Sequence, residues 1–200
     1  LEPRPGNPRP RLQDLPNGLI NALGLPGKGT NKTLENLDGH SLFSLGRPIG
    51  ISVGGHHLDD YVEGAKRITT FFEGKELKPS FLELNISCPN TPDGQNMMAN
   101  IQLIDDLLTQ LRTITDWIIG VKVSPDQSND DLTSIAKIVS TYDRVYINAG
   151  NTTFRKCQDI GLASDAISIG GGGMSGSALY PRTLEMVELL APFKVPIIAT

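Results

Sequence analysis

The stretch Phe81-Leu82-Glu83-Leu84-Asn85-Ile86-Ser87-Cys88-Pro89-Asn90 decides how the rest of the chain is read. Alternation puts Leu82, Leu84 and Ile86 on one face and Phe81, Glu83 and Asn85 on the other, which is the period of a β-strand. Pro89 lacks an amide donor and ends it. An amide, a thiol and a second amide therefore stand at the exit of a buried strand, where polar groups are costly unless they meet a ligand. The competing reading is a strand-to-loop turn whose asparagines satisfy their own backbone.

Outward from this stretch the chain alternates strand and helix patterns. A strand pattern over 47–55 precedes a helix over 58–72. After the central strand 81–87 and a loop over 88–99 comes a helix over 101–114. A strand over 117–123, a helix over 130–141 and a strand over 144–148 follow. A long glycine-rich loop holds Gly170–Gly173, and a helix over 181–190 leads into a strand over 195–199. Such spacing predicts parallel βα units. One face of each strand is aliphatic (Ile49, Ile51, Val53; Ile119, Val121, Val123; Val145, Ile147). The other is small or polar (Gly50, Ser52, Gly54; Gly120, Lys122, Ser124; Tyr146, Asn148, Gly150). A sheet with helices on both sides is apolar on both faces. A polar second face suits the interior of a (β/α)8 TIM barrel that opens onto a ligand at the C-terminal strand ends. Five strands do not close such a barrel. The chain starts on Leu1 without Met and stops at Thr200, at the end of a strand pattern. The expectation is therefore that residues 1–200 are the central part of one barrel domain, covering roughly strands 3–7.

The chain has 200 residues, enough for one domain with a sizeable core. A net charge of −4 and a pI near 5.4 give no reason to expect nucleic acid as partner. No apolar run approaches a membrane span. Cys88 and Cys157 lie far apart and in no metal-ligand spacing, and His40, His56 and His57 have no acidic or cysteine partners at ligand spacing, so no metal is expected. A reducing, cytoplasmic setting is the default. Residues 1–18, dense in Pro, Arg and Gly, read as an extended surface segment, and 31–45 is indistinct. Asn21 reads as a turn former, or as part of a backbone that approaches something closely through Gly24.

Asn21, the Asn85–Cys88–Asn90 group, Lys122 and Asn151-Thr152 sit at successive strand ends. Together they resemble the FMN-dependent dihydroorotate dehydrogenases. The resemblance is carried by Leu1-Glu2-Pro3-Arg4-Pro5-Gly6-Asn7-Pro8, Asn21-Ala22-Leu23-Gly24-Leu25-Pro26, Asn85-Ile86-Ser87-Cys88-Pro89-Asn90, Val121-Lys122-Val123-Ser124-Pro125-Asp126, Asn151-Thr152-Thr153 and Gly172-Gly173-Met174-Ser175-Gly176. It spans essentially the whole chain, in order and spacing. The family implies a reaction: (S)-dihydroorotate is oxidised to orotate in pyrimidine synthesis, with hydride passing to FMN. It implies Cys88 as the base. It implies a pyrimidine clamp of Asn21, Asn85, Asn90, Asn151 and Thr152, with the backbone of Leu23, Gly24 and Leu25 taking the substrate carboxylate. Ser52, Asn85, Lys122, Gly150 and Gly176 fall to the flavin, Lys122 beside its N1–C2 edge and Gly176 letting the backbone come close. An amide carries both a donor and an acceptor, which matches the alternating edge of a pyrimidine.

Other readings stand beside these. Lys122 on a strand pairs ordinarily with a carboxylate, and Glu83 is the candidate. Gly170–Gly173 reads as a flexible loop and is no dinucleotide fingerprint. Cys157 reads as inert. A cysteine base goes with members that use fumarate or a partner iron–sulfur flavoprotein. Asn151-Thr152-Thr153 and Gly173-Met174-Ser175-Gly176 resemble the quinone-dependent members, which associate with membranes through an N-terminal segment. The electron acceptor therefore stays open among fumarate, quinone and a partner subunit, as does a homodimer. The rival functions are a related FMN barrel acting on uracil-type dihydropyrimidines and a non-catalytic barrel fragment that serves as a binding module.

Overall fold

The computed structural model describes residues 2–86 and 101–200. Its main sheet has five parallel strands in the order β3 (Gly50–Val53), β4 (Phe81–Asn85), β5 (Ile118–Val123), β6 (Val145–Ala149) and β9 (Ile197–Ala199). The spatial order is the chain order, with no reversal. Each right-handed crossover therefore puts its helix on the same side, which winds a barrel wall. A doubly wound sheet needs a point where the order reverses.

The helices are α2 (Leu58–Phe72), α3 (Gln102–Ile114), α4 (Asn129–Val139) and α5 (Tyr180–Leu190), after α1 (Thr30–Leu37) near the N-terminal end. In α2, Tyr61, Gly64, Ala65, Ile68 and Phe72 form one buried stripe. Its N-terminus is held by Asp60, whose carboxylate accepts from the amides of His56 (2.7 Å) and His57 (3.2 Å). Ile104, Leu107, Leu108 and Leu111 of α3, and Leu132, Ile135, Ala136 and Val139 of α4, repeat the stripe. All of them close on Leu82, Leu84, Ile86, Ile119, Val121, Val123 and Ile147, each fully buried. The aliphatic strand face thus packs on the helices as expected. Truncating any one of these leucines to Ala would cost about 2–5 kcal/mol.

One expectation is corrected and two are filled in. The N-terminal extended segment contains a strand, β1 (Leu12–Leu15), in a hairpin with β2 (Gly18–Asn21). The indistinct stretch holds α1 and a 3-10 turn over Ser41–Ser44. The glycine-rich region is not a loop throughout, for Gly171–Gly176 is a strand, β8, paired antiparallel with β2 on one side and β7 (Thr153–Lys156) on the other. Its glycines lie where neighbours press in. An added Cβ would come 2.3 Å from the Asn21 carbonyl oxygen at Gly172 and 2.0 Å from Thr152 Oγ1 at Gly173. The small sheet β1-β2-β8-β7 encloses a second core of Ile20, Ala22, Cys157 and Ile167. Cys157 is a free thiol in that apolar core.

Candidate functional site

The inner face of the main sheet is built in rungs. Ser52 lies beside Glu83, Glu83 beside Gly120, and Gly120 beside Tyr146. On the next rung Asn85 lies beside Lys122, Lys122 beside Asn148 and Asn148 beside Ile198. Of the six side chains flanking Gly120 and Lys122 in these rungs, five carry a polar group and Ile198 does not. The exit of β4 is fixed from behind, where the buried Tyr61 hydroxyl donates to the Asn85 carbonyl at 2.9 Å.

Among the described residues, two cavities at this end of the sheet hold expected site residues. One, of about 580 Å³, is lined by Lys122, Gly150, Asn151, Thr152, Ser175, Gly176, and residues of α5 and β9. That volume falls in the range of small-molecule sites. The other, of about 320 Å³, is lined by Ser52, Gly54 and Asn85 together with Arg4, Leu25 and Thr30. The expected site residues are therefore divided: Lys122, Gly150, Asn151, Thr152 and Gly176 meet in the first, Ser52, Asn85 and Leu25 in the second. Asn21, Leu23 and Gly24 line neither. Asn21 closes β2, and its Nδ2 donates to the Gly173 carbonyl at 3.3 Å. Gly24 has φ +71°, and a Cβ there would sit 2.7 Å from the Asn7 amide nitrogen. Cys88 and Asn90 lie outside the described residues.

Each glycine of the group has a reason in the chain itself. A Cβ on Gly150 would fall 2.2 Å from the Thr200 carbonyl, and one on Gly176 would fall 2.1 Å from that of Asn17. Gly176 thus permits a close approach of the β1–β2 hairpin, and it also lines the cavity. Asn151 Oδ1 accepts from the amide of the next residue, Thr152, at 2.9 Å, just past the end of β6.

The ion pair between Lys122 and Glu83 is not formed. Glu83 Oε2 instead accepts from the Tyr146 hydroxyl (3.0 Å) and from Asn148 Nδ2 (2.9 Å), while Asn148 Oδ1 accepts from Thr200 Oγ1 (3.1 Å). Burial, and then the Glu83 charge beside it, raises the Tyr146 phenol well above its ordinary value. Lys122 has no hydrogen bond or ion pair with any described residue. Among the described residues Lys122 thus meets no counter-charge, and it stands at the edge of the larger of these two cavities.

Sequence reasoning gave Tyr146, Asn148 and Thr200 no role. The alternation that placed Tyr146 and Asn148 on the polar face was the available signal. It also missed the clamp on the β5 exit loop. There Asp126 accepts from Thr153 Oγ1 and from the Phe154 amide (2.7 Å). Arg182 of α5 donates to the carbonyls of Pro125 (3.0 Å) and Gln127 (2.8 Å). Among the described residues no group of three or more His, Cys, Asp or Glu could hold a metal ion, and no helix is long and apolar enough to cross a membrane.

The family model described as dihydroorotate dehydrogenase matches residues 1–200. The chain is 34% identical over 200 residues to the catalytic subunit of dihydroorotate dehydrogenase B (NAD(+)) from Bacillus cereus (strain B4264), covering 98% of this chain and 62% of that protein. The corresponding subunit from Geobacillus sp. (strain WCH70) is also 34% identical, with 98% and 61% covered. The chain thus spans about three-fifths of the length of these curated relatives. Among solved structures, DHODH from Eimeria tenella in complex with ferulenol superposes with a TM-score of 0.81 at 22% identity, over 99% of this chain and 60% of that one. That likeness places the five-stranded wall in a TIM barrel.

Proposed function

The chain belongs to the dihydroorotate dehydrogenase family, and on that premise we propose that it forms the central part of a single FMN-binding barrel domain that oxidises dihydroorotate to orotate. The observation that carries the reading is Lys122: a cation without a partner among the described residues, lining a cavity of about 580 Å³ with Gly150, Asn151, Thr152 and Gly176. These residues suit the pyrimidine edge of a flavin, which is flat, alternates donors and acceptors, and becomes negative on reduction.

FMN, bound there, supplies the hydride acceptor. The chain's own residues do the remainder. Lys122 presents a fixed positive charge where negative charge develops. Ser52, Asn85, Gly150 and Gly176 frame the cofactor. Asn21, Asn85, Asn90, Asn151 and Thr152 clamp the substrate ring without burying a formal charge, and the backbone of Leu23, Gly24 and Leu25 receives its carboxylate. Cys88 removes the proton from C5 as hydride leaves C6, so that one proton and one hydride account for the two hydrogens lost. A free thiol has a pKa of about 8.5, and the reaction therefore speeds up with rising pH until the thiolate is formed.

The relatives named as catalytic subunits of an NAD(+)-dependent enzyme favour a partner subunit as the electron acceptor over fumarate or quinone. A cytoplasmic setting belongs to the same reading.

The test is cofactor identity and ligand choice in the whole protein. The expected protein is yellow, releases FMN on denaturation, and shifts its flavin spectrum with orotate and not with uracil. A protein that neither contains nor takes up FMN refutes the reading. A shift with uracil alone moves the activity to the uracil-type dihydropyrimidines.

A further inference from the structure

Glu83 is an anionic side chain one rung from Lys122, on the same face of the adjacent strand. By default a carboxylate and an ammonium so placed find each other. In the structure they do not. Both donors to Glu83 Oε2 are neutral, the Tyr146 hydroxyl and the Asn148 amide, and both come from β6, the strand on the far side of Lys122. They can reach it because Gly120, between Glu83 and Tyr146, has no side chain. A Cβ there would lie 2.2 Å from Tyr146 Cζ. The Tyr146 ring is held in place by Phe81, edge to face at 5.8 Å.

We propose that Tyr146 and Asn148 are positioning residues that hold Glu83 away from Lys122, so that the lysine charge is kept for the ligand of the adjoining cavity. The inference rests on the flavin reading of that cavity for its functional consequence, though its structural half stands without it. Neutral donors satisfy a carboxylate without cancelling the charge of the cation beside it. Charged donors would have satisfied Glu83 as well, but a further cation here would compete for the ligand. The amide of Asn148 has one sensible orientation: Nδ2 faces the carboxylate, and Oδ1 is left to accept from Thr200. The Tyr146 phenol, its proton held more tightly because of burial and Glu83, remains a donor at every ordinary pH. Both donors lie buried, so water does not replace them freely. With both removed, Lys122, one rung away on the neighbouring strand, is the cation on this face that Glu83 can turn to.

The test uses the whole holoenzyme with Tyr146→Phe/Asn148→Leu, and the same pair carrying Glu83→Gln. In a crystal structure of the double variant, Glu83 should swing to within about 4 Å of Lys122 Nζ, ion-pair distance. The midpoint potential of the bound flavin should become more negative, because the lysine charge is now shared. Adding Glu83→Gln removes the competing anion and should bring the potential back toward the wild-type value. Tyr146→Phe alone, which removes a single oxygen, should move the potential in the same direction by less, and serves should the double variant fold poorly. Glu83 remaining apart from Lys122 in the double variant overturns the proposal. So does a potential shift that Glu83→Gln fails to reverse, since a packing defect would behave that way. A protein that holds no flavin refutes the proposed function instead, and the Glu83–Lys122 distance still decides the structural claim.

Discussion

The Tyr146 ring lies directly over Gly120, so closely that a methyl group on that glycine would sit 2.2 Å from Cζ and 2.3 Å from the hydroxyl oxygen. This contact lets a residue of β6 reach past β5 and bond Glu83 on β4, tying three strands together on the face that points to the site. Gly120→Ala should therefore destabilise the protein by about 1–3 kcal/mol, as overpacking does. It should also break the Tyr146–Glu83 hydrogen bond. Urea unfolding with an unchanged slope and a lower midpoint is the expected result. An unchanged midpoint would mean that the ring has another place to go.

Tyr146 also sets a pH dependence. Its phenol holds its proton more tightly when folded, first through burial and then through Glu83. The unfolded chain releases that proton near the ordinary tyrosine value of about 10. The contribution to stability is thus complete below about pH 10 and is lost as pH rises through the folded value. Wild-type stability should fall on the alkaline side, and Tyr146→Phe should flatten that fall. A matched pair of urea titrations from pH 8 to about 11 checks this, and parallel curves for the two proteins would contradict it.

Much of the main sheet was legible because its signal is local. The stripe Tyr61, Ala65, Ile68, Phe72 repeats at helical spacing, and a helix over 58–72 follows from it. The alternation in 81–86 likewise separates Leu82, Leu84 and Ile86, all fully buried, from Glu83 and Asn85. The small sheet was not legible. Gly171–Gly176 has no hydrophobic period, and its strand character comes from the backbones of β2 and β7 on either side. In α1 a single buried residue, Leu34, gives too little pattern to see.

At the site, Lys122 was visible as a charge on a strand between apolar residues. Its freedom from Glu83 was not, because that depends on the register of three strands and on what Gly120 lacks. The division of the expected residues between two cavities was equally hidden. It depends on where the hairpin β1–β2 and the turn after β6 meet the sheet, which no local pattern encodes.

Lys122→Met keeps much of the apolar stem and removes the charge. In the whole protein, flavin reduction should slow by about 10²–10³-fold, the scale of losing one preorganised electrostatic group. The midpoint potential should fall with it. If rate and potential both stay at wild-type values, Lys122 plays no part at the flavin.

Cys88→Ala should still bind FMN and orotate, since the proposed clamp and flavin contacts remain. Substrate-driven reduction should drop by about 10²–10⁴-fold, the usual worth of a general base. Cys88→Ser should fall between the two and lose the rise with pH that a thiol gives. Reduction of Cys88→Ala at near wild-type rates would mean that the proton leaves by another route.

The most direct measurement is anaerobic stopped-flow bleaching of the flavin when the whole protein is mixed with (S)-dihydroorotate, beside the same experiment with dihydrouracil. The expected result is prompt bleaching by dihydroorotate, faster as pH rises toward the thiol range, with orotate formed in amounts equal to the flavin reduced, and no bleaching by dihydrouracil. A flavin that dihydroorotate leaves oxidised at every pH would contradict it.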